Sequence, residues 1–172
     1  MNLLSIEIGS LLLIVMSFIC LTFLSRAFVI VQEGNKYVVE RLGVYYKTCE
    51  AGLHFIVPFV DRIKNKIELK DQIVEMAQQA FTTKDNITVK IDATVVYMVS
   101  DEKLYTYGVK SPKKAIEEFT ATTLRSIMWD LGLTEIFASR NLINTKTKDN
   151  LNEATGAWGI KIIRVEVKNI IE

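Results

Sequence analysis

The stretch Ile87-Thr88-Val89-Lys90-Ile91-Asp92-Ala93-Thr94-Val95-Val96-Tyr97-Met98-Val99 decides the fold. Ile87, Val89, Ile91, Ala93, Val95, Tyr97 and Val99 fall on one side of an extended chain, and Thr88, Lys90, Asp92 and Thr94 on the other. Side chains alternate across a strand, so this pattern predicts a strand with one buried and one wet face, as an antiparallel sheet allows. Upstream, residues 29–32 and 36–44 read as strands split by the turn Glu33-Gly34-Asn35, and 62–70 alternates Ile63, Ile67 and Leu69 against Arg62, Lys64, Lys66 and Glu68. Residues 72–83 form a weaker strand pattern, ended by the turn Lys84-Asp85-Asn86.

Downstream the period changes. Ser111-Pro112 supplies an N-cap residue followed by a proline at the first helical position. Ile116, Phe119, Leu124, Ile127, Met128 and Leu131 recur at helical spacing, and Gly132 is a stop signal. A short second helix starts at Thr134 and carries Ile136 and Phe137. A more polar third helix over about 140–157 has Leu142, Ile143, Leu151 and Ala154 as its apolar side. Trp158-Gly159 ends it, and 160–171 returns to strand character. Strands, then helices, then a closing strand is an α+β order, not an alternating βαβ one.

At the other end of the chain, residues 8–25 form its longest uncharged run. At about 1.5 Å of rise per residue, about 18 helical residues nearly cross a hydrocarbon core of about 30 Å. The run predicts a transmembrane anchor within residues 1–31, with Leu11, Leu12, Leu13, Ile14, Val15, Phe18, Ile19, Leu21, Phe23 and Leu24 facing lipid and Arg26 placed to snorkel. A secretory signal fits poorly, because residues 1–6 lack Lys and Arg and the apolar stretch is too long. A lipoprotein signal is no better, with Ile19 ahead of Cys20. No basic residue precedes the run and Arg26, Lys36 and Arg41 follow it, so the positive-inside rule sets the N-terminus outside and the domain in the cytoplasm.

Composition excludes several function classes. A net charge of +1 over 172 residues, with no basic cluster interleaved with aromatics, is not the footprint of a nucleic-acid binder. Cys20 and Cys49 fall in different compartments and are not expected to pair. The one histidine, His54, sits in an apolar context and cannot build a His-rich metal site. No nucleophile elbow, phosphate loop or dinucleotide fingerprint is present. Glu117 and Glu118 diverge by about 100° on a helix, so they read as a solvated face that answers the helix dipole. No catalytic, metal or cofactor residue is assigned. The stretch 51–60 packs apolar and aromatic residues around Gly52 and Pro58, too broken for a strand and too apolar for a solvated loop. It reads either as a segment dipping into the membrane interface, with Phe55, Ile56 and Phe59 contacting lipid, or as a loop folded over the sheet.

In their order along the chain these motifs resemble the stomatin/prohibitin/flotillin/HflK-HflC proteins, the SPFH or band 7 family, in its prokaryotic stomatin-like branch. The matching stretches begin with Val38-Val39-Glu40-Arg41-Leu42-Gly43, Ala51-Gly52-Leu53-His54-Phe55-Ile56-Val57-Pro58-Phe59-Val60-Asp61 and Phe81-Thr82-Thr83-Lys84-Asp85-Asn86-Ile87. Leu124-Arg125-Ser126, Leu151-Asn152-Glu153-Ala154-Thr155, Trp158-Gly159-Ile160-Lys161-Ile162 and Arg164-Val165-Glu166-Val167-Lys168 complete the set. The resemblance implies a band 7 domain over 32–172, strand-rich and membrane-proximal to about 100 and helical with a closing strand from about 101. It implies homo-oligomers that organise membrane microdomains, and partners such as a membrane protease or an NfeD-type protein. Ala51 stands where the family commonly has Pro, and the long coiled-coil helix of relatives is not among these residues. The expected function is a non-enzymatic scaffold, with a regulatory subunit of a membrane protease or channel as the alternative. On this reading the full chain stays with the membrane pellet after alkaline carbonate extraction; release into the supernatant contradicts the anchor.

Overall fold

A computed structural model describes residues 15–18, 21–22 and 27–171. Residues 15–18 and 21–22 are helical, and most of the segment read as the anchor, including Leu11, Leu12, Leu13, Ile14, Ile19, Phe23 and Leu24, lies outside the described residues. Among the described residues no helix is long and apolar enough to cross a membrane. The chain folds as two compact units that divide between Lys66 and Ile67.

From Phe28 on, the first unit is built of strands: β1 (Phe28–Val31), β2 (Asn35–Arg41), β3 (Val44–Cys49), β4 (Gly52–Phe55) and the start of β5 (Asp61–Glu68). β1 and β4 make a two-stranded antiparallel ribbon, and β2 is the middle strand of the order β3-β2-β5. A small core of Val31, Val39, Cys49 and Ile56 joins the elements. The strand expected over 36–44 is broken at Leu42-Gly43, where φ is 51° and 86°. Positive φ at both central residues is the geometry of a two-residue hairpin turn, whose twist matches the flanking strands. Gly43 accepts it freely, but Leu42 does so against its Cβ. The expectation that 51–60 holds no strand is also corrected, since Gly52–Phe55 pairs with β1.

The second unit holds β6 (Gln72–Thr82), β7 (Thr88–Val99), α1 (Glu102–Tyr107), α2 (Pro112–Asp130), α3 (Leu133–Ala138), α4 (Arg140–Thr155), a 3-10 turn (Gly156–Trp158) and β8 (Ile160–Ile171). β7 is the middle strand, antiparallel to both β6 and β8. Val89, Ile91, Ala93, Val95, Tyr97 and Val99 are all buried, as their alternation requires. Helices α2 and α4 cover that face through Ile116, Leu124, Ile127, Met128, Ile143 and Leu151. Because β6 and β7 share this core, the helical unit begins at Ile67 and not near residue 101. Phe137 and Leu142, expected on apolar faces, are exposed, and Phe119 is half-exposed, its ring edge-on to Trp158 at 5.4 Å.

Two local devices fix the connections. In the β6–β7 turn, Thr83 N–H donates to the Ile87 carbonyl at 2.9 Å and Asn86 takes φ 62°. Asp85 then points out to accept from Leu133 N–H at 2.9 Å, capping α3 from another element. On the far side, Asn152 of α4 donates its amide to the Ile162 carbonyl and accepts from Ile162 N–H at 2.8 Å, while Asn144 accepts from Val167 N–H at 3.1 Å. At the start of β8, Gly159 (φ 66°) lies where a Cβ would collide with the Asp101 carbonyl. Leu124→Ala, at a site with no exposure, is expected to cost about 2–5 kcal/mol, and Asp85→Ala about 1 kcal/mol through the lost cap, both measured by denaturant unfolding.

Candidate membrane-facing site

One end of the strand-rich unit gathers exposed apolar side chains. In the β1–β4 ribbon Phe28 lies opposite Phe55 and Ile30 opposite Leu53. Residues directly opposite in a ladder share a face, and here all four are exposed. The ribbon's other face turns Val31 into the core. Phe28 and Phe55 meet edge-to-face with ring centres 5.8 Å apart. A two-stranded ribbon has no second layer of its own to cover such a face.

A chain of hydrogen bonds ties this ribbon to two loop tips. Ile56 N–H donates to the Ala27 carbonyl at 2.8 Å, at the point where the chain leaves the N-terminal apolar run. Val57 N–H donates at 2.9 Å to the Asp61 carboxylate, which also receives Arg41 Nε at 2.6 Å and Arg41 Nη2 at 3.0 Å. Leu42 N–H donates to the Val60 carbonyl at 3.0 Å. The two segments so clamped present Leu42 (80 % exposed) and Phe59 (94 % exposed, φ 70°). A left-handed conformation costs a non-glycine residue about 1–2 kcal/mol, so two large apolar side chains are held outward at a cost in strain.

Tyr46 completes the clamp. The β2–β3 register shifts between Val39 and Glu40, so Tyr46 is the extra residue of a bulge. Bulges re-aim side chains. The Tyr46 ring lies 3.8 Å beneath the Arg41 guanidinium, which holds that fork flat against the Asp61 carboxylate.

Of the residues expected to touch lipid, Phe55 and Phe59 are exposed at this end, and Val15, Phe18 and Leu21 are exposed on the helical residues before it. Ile56 is the correction. At 9 % exposure it packs with Val31, Val39 and Cys49, because the residue after β4 turns inward once its N–H is taken by Ala27. Sequence reading missed Phe28, Ile30, Leu53, Leu42 and Val44. The available signal was Phe28-Val29-Ile30-Val31, a strand apolar on both faces directly after the uncharged run.

Among the described residues outside this end, no titratable group stands in an arrangement that assigns it chemistry. His54 Nε2 lies 2.7 Å from the Glu50 carbonyl oxygen. Burial pushes the Cys49 thiol pKa up, away from the reactive thiolate. Among the described residues no group of three His, Cys, Asp or Glu could hold a metal ion.

A strand unit followed by a helix-backed sheet is the α+β order that the sequence motifs implied, and the family comparison agrees with that order. Residues 29–172 match the SPFH domain / Band 7 family, and the chain belongs to it. It is 39 % identical over 159 residues to an uncharacterized protein of Methanothermobacter thermautotrophicus, covering 92 % of this chain and 49 % of that one. It is 34 % identical over 140 residues to human stomatin-like protein 2, mitochondrial, covering 81 % and 39 %. A Mycobacterium tuberculosis protein is 31 % identical over 162 residues, covering 94 % and 42 %. The chain thus spans less than half the length of these curated relatives.

Arg41 holds the Asp61 carboxyl well below the usual range, at about 2, helped by the Val57 N–H and against the opposing effect of burial. A depressed carboxylate stabilises the fold above its unfolded pKa of about 4, and that contribution is lost as pH falls from about 4 toward 2. Asp61→Asn should cost about 2 kcal/mol at neutral pH and remove this acid-dependent loss, read by unfolding curves between pH 2 and 7.

Proposed function

We propose that this protein is a non-enzymatic, single-pass membrane scaffold whose strand-rich unit seats its apolar end in the lipid interface and whose copies associate with one another. The observation that carries the reading is the outward ribbon face of Phe28, Ile30, Leu53 and Phe55, exposed directly after an apolar run long enough to span. Fully burying side chains of this size is worth about 1.5–3 kcal/mol each, and these are half-covered already. Seating the face therefore adds roughly 4 kcal/mol, enough to orient the unit on a bilayer to which the chain is already tethered. Phe59 and Leu42 extend the contact, and the strain stored at both tips has its return there. Family membership supports the scaffold role.

An environment-sensitive fluorophore at Phe59→Cys or Phe55→Cys, in the full chain with Cys20 and Cys49 replaced by Ser, reports lipid directly in reconstituted vesicles. The emission should shift to the blue and be quenched by spin-labelled lipid, while a label at Glu102→Cys stays water-like. Water-like emission at residues 55 and 59 would sink the lipid seat. An amine crosslinker applied to native membranes should give a ladder of self-adducts, and monomer alone would remove the scaffold.

A further inference from the structure

The two edges of the helical unit's sheet are finished differently. At one edge, Asn144 and Asn152 bond to the backbone of β8 at Val167 and Ile162. At the other, β6 pairs with β7 alone. An edge strand turns the N–H and C=O groups of alternate residues outward with no ladder partner. Among the described residues, no side chain and no other backbone segment bonds to the outward groups of residues 73–82. Natural edges are often blunted by lysine or proline, and β6 has neither in its 11 residues. Its one irregularity is the bulge at Ala77 and Gln78, which leaves Gln79–Thr82 in regular register beyond it.

Space opens on both faces of this edge. Helix α2 runs over β6 in the strand's own direction, with Ile116 clustered with Val74 and Leu124 with Phe81. Gln79 lies opposite the buried Ile91, on the face that the helix covers, and lines a groove of about 530 Å³ with Glu118, Thr122 and Arg125 of α2. Glu75 lies opposite Thr94, on the other face, and there Ala77, Gln78 and Asp92 help to line a depression of about 500 Å³.

The groove has one charge that its own wall does not answer. Lys114 stands within a turn of Glu117 and Glu118, which fall in the second turn of α2 and offset it. Arg125 has only Ala121, Thr122, Met128 and Trp129 at that spacing. Among the described residues it makes no ion pair or hydrogen bond, and its guanidinium stands 5.9 Å from the centre of the Phe81 ring. A guanidinium is the preferred partner of a carboxylate, which it grips with two parallel hydrogen bonds.

We infer that a partner protein adds an extended segment to β6 along Gln79–Thr82 and places an Asp or Glu side chain on Arg125. In strand addition the main-chain hydrogen bonds supply affinity and pockets for alternate side chains supply specificity. Here the pockets are the spaces on the two faces of the edge. A second copy is the poorer occupant, because two β6 edges paired about a two-fold axis bring both Arg125 side chains to one seam. The inference needs neither the lipid seat nor self-association.

The test selects a library of random peptides displayed on phage against the full chain in lipid nanodiscs. Enriched peptides should be rich in β-branched residues and share one acidic position. Added as a synthetic peptide, the strongest should slow amide exchange over residues 78–82, read by mass spectrometry, and leave β8 unchanged. Arg125→Ala should weaken its binding about tenfold. Selection against Arg125→Glu should replace the acid with Lys or Arg, while an unchanged thermal midpoint shows that the exposed substitution keeps the fold. Failure to enrich any binder, protection at another strand, or an acidic position that survives Arg125→Glu would overturn the proposal. Protection of residues 78–82 that grows with protein concentration in the absence of peptide would give the edge to a second copy and overturn it as well.

Discussion

A two-stranded ribbon can lay only one of its faces on its own body. In this protein the ribbon of β1 and β4 turns Val31 inward and leaves Phe28, Ile30, Leu53 and Phe55 more than half exposed. Burial of apolar surface is the dominant favourable contribution to folding, so a face left open in this way calls for a neighbour. The ribbon's position in the chain supports the lipid seat proposed above. It starts directly after the longest uncharged stretch of the sequence. The rest of the strand-rich unit serves to hold that ribbon at a defined attitude.

The Arg41–Asp61 pair is the means of holding. An exposed ion pair contributes little because water screens it and the side chains lose freedom. This one differs in geometry: two nearly parallel hydrogen bonds, a carboxylate side chain only 1 % exposed, and an aromatic ring under the guanidinium. It fixes the relation between the Leu42 turn and the Phe59 loop, two places where the backbone is strained. Neither conformation would persist in a free peptide. Each is over-determined by its surroundings.

Much of the helical unit was legible because its elements are long and periodic. The alternation over residues 87–99 and the proline at the head of α2 placed the core residues correctly, from Val89 to Leu124. Short elements were not legible, for definite reasons. Leu42 takes a conformation that leucine disfavours, so only Gly43 hinted at the turn that separates β2 from β3. β4 is four residues long and exists through its pairing with β1, a contact between distant parts of the chain that no local pattern reports. α1 escaped notice although Asp101 accepts from Leu104 N–H at 2.8 Å as an N-cap, because six residues show too little periodicity. At the candidate site, Phe55 and Phe59 could be picked out by their context. Ile56 could not be separated from them until the Ala27 hydrogen bond showed which way the chain turned.

The two asparagines of α4 have a wider consequence. Asn152 and Asn144 occupy backbone groups along β8, the outer strand of its sheet, at Ile162 and Val167. An open outer strand is a template on which a neighbouring molecule can lay its own strand, and crowding of many copies in a two-dimensional bilayer would raise that hazard. With those groups already engaged by amides from a helix, β8 offers a poor seam for fibre growth.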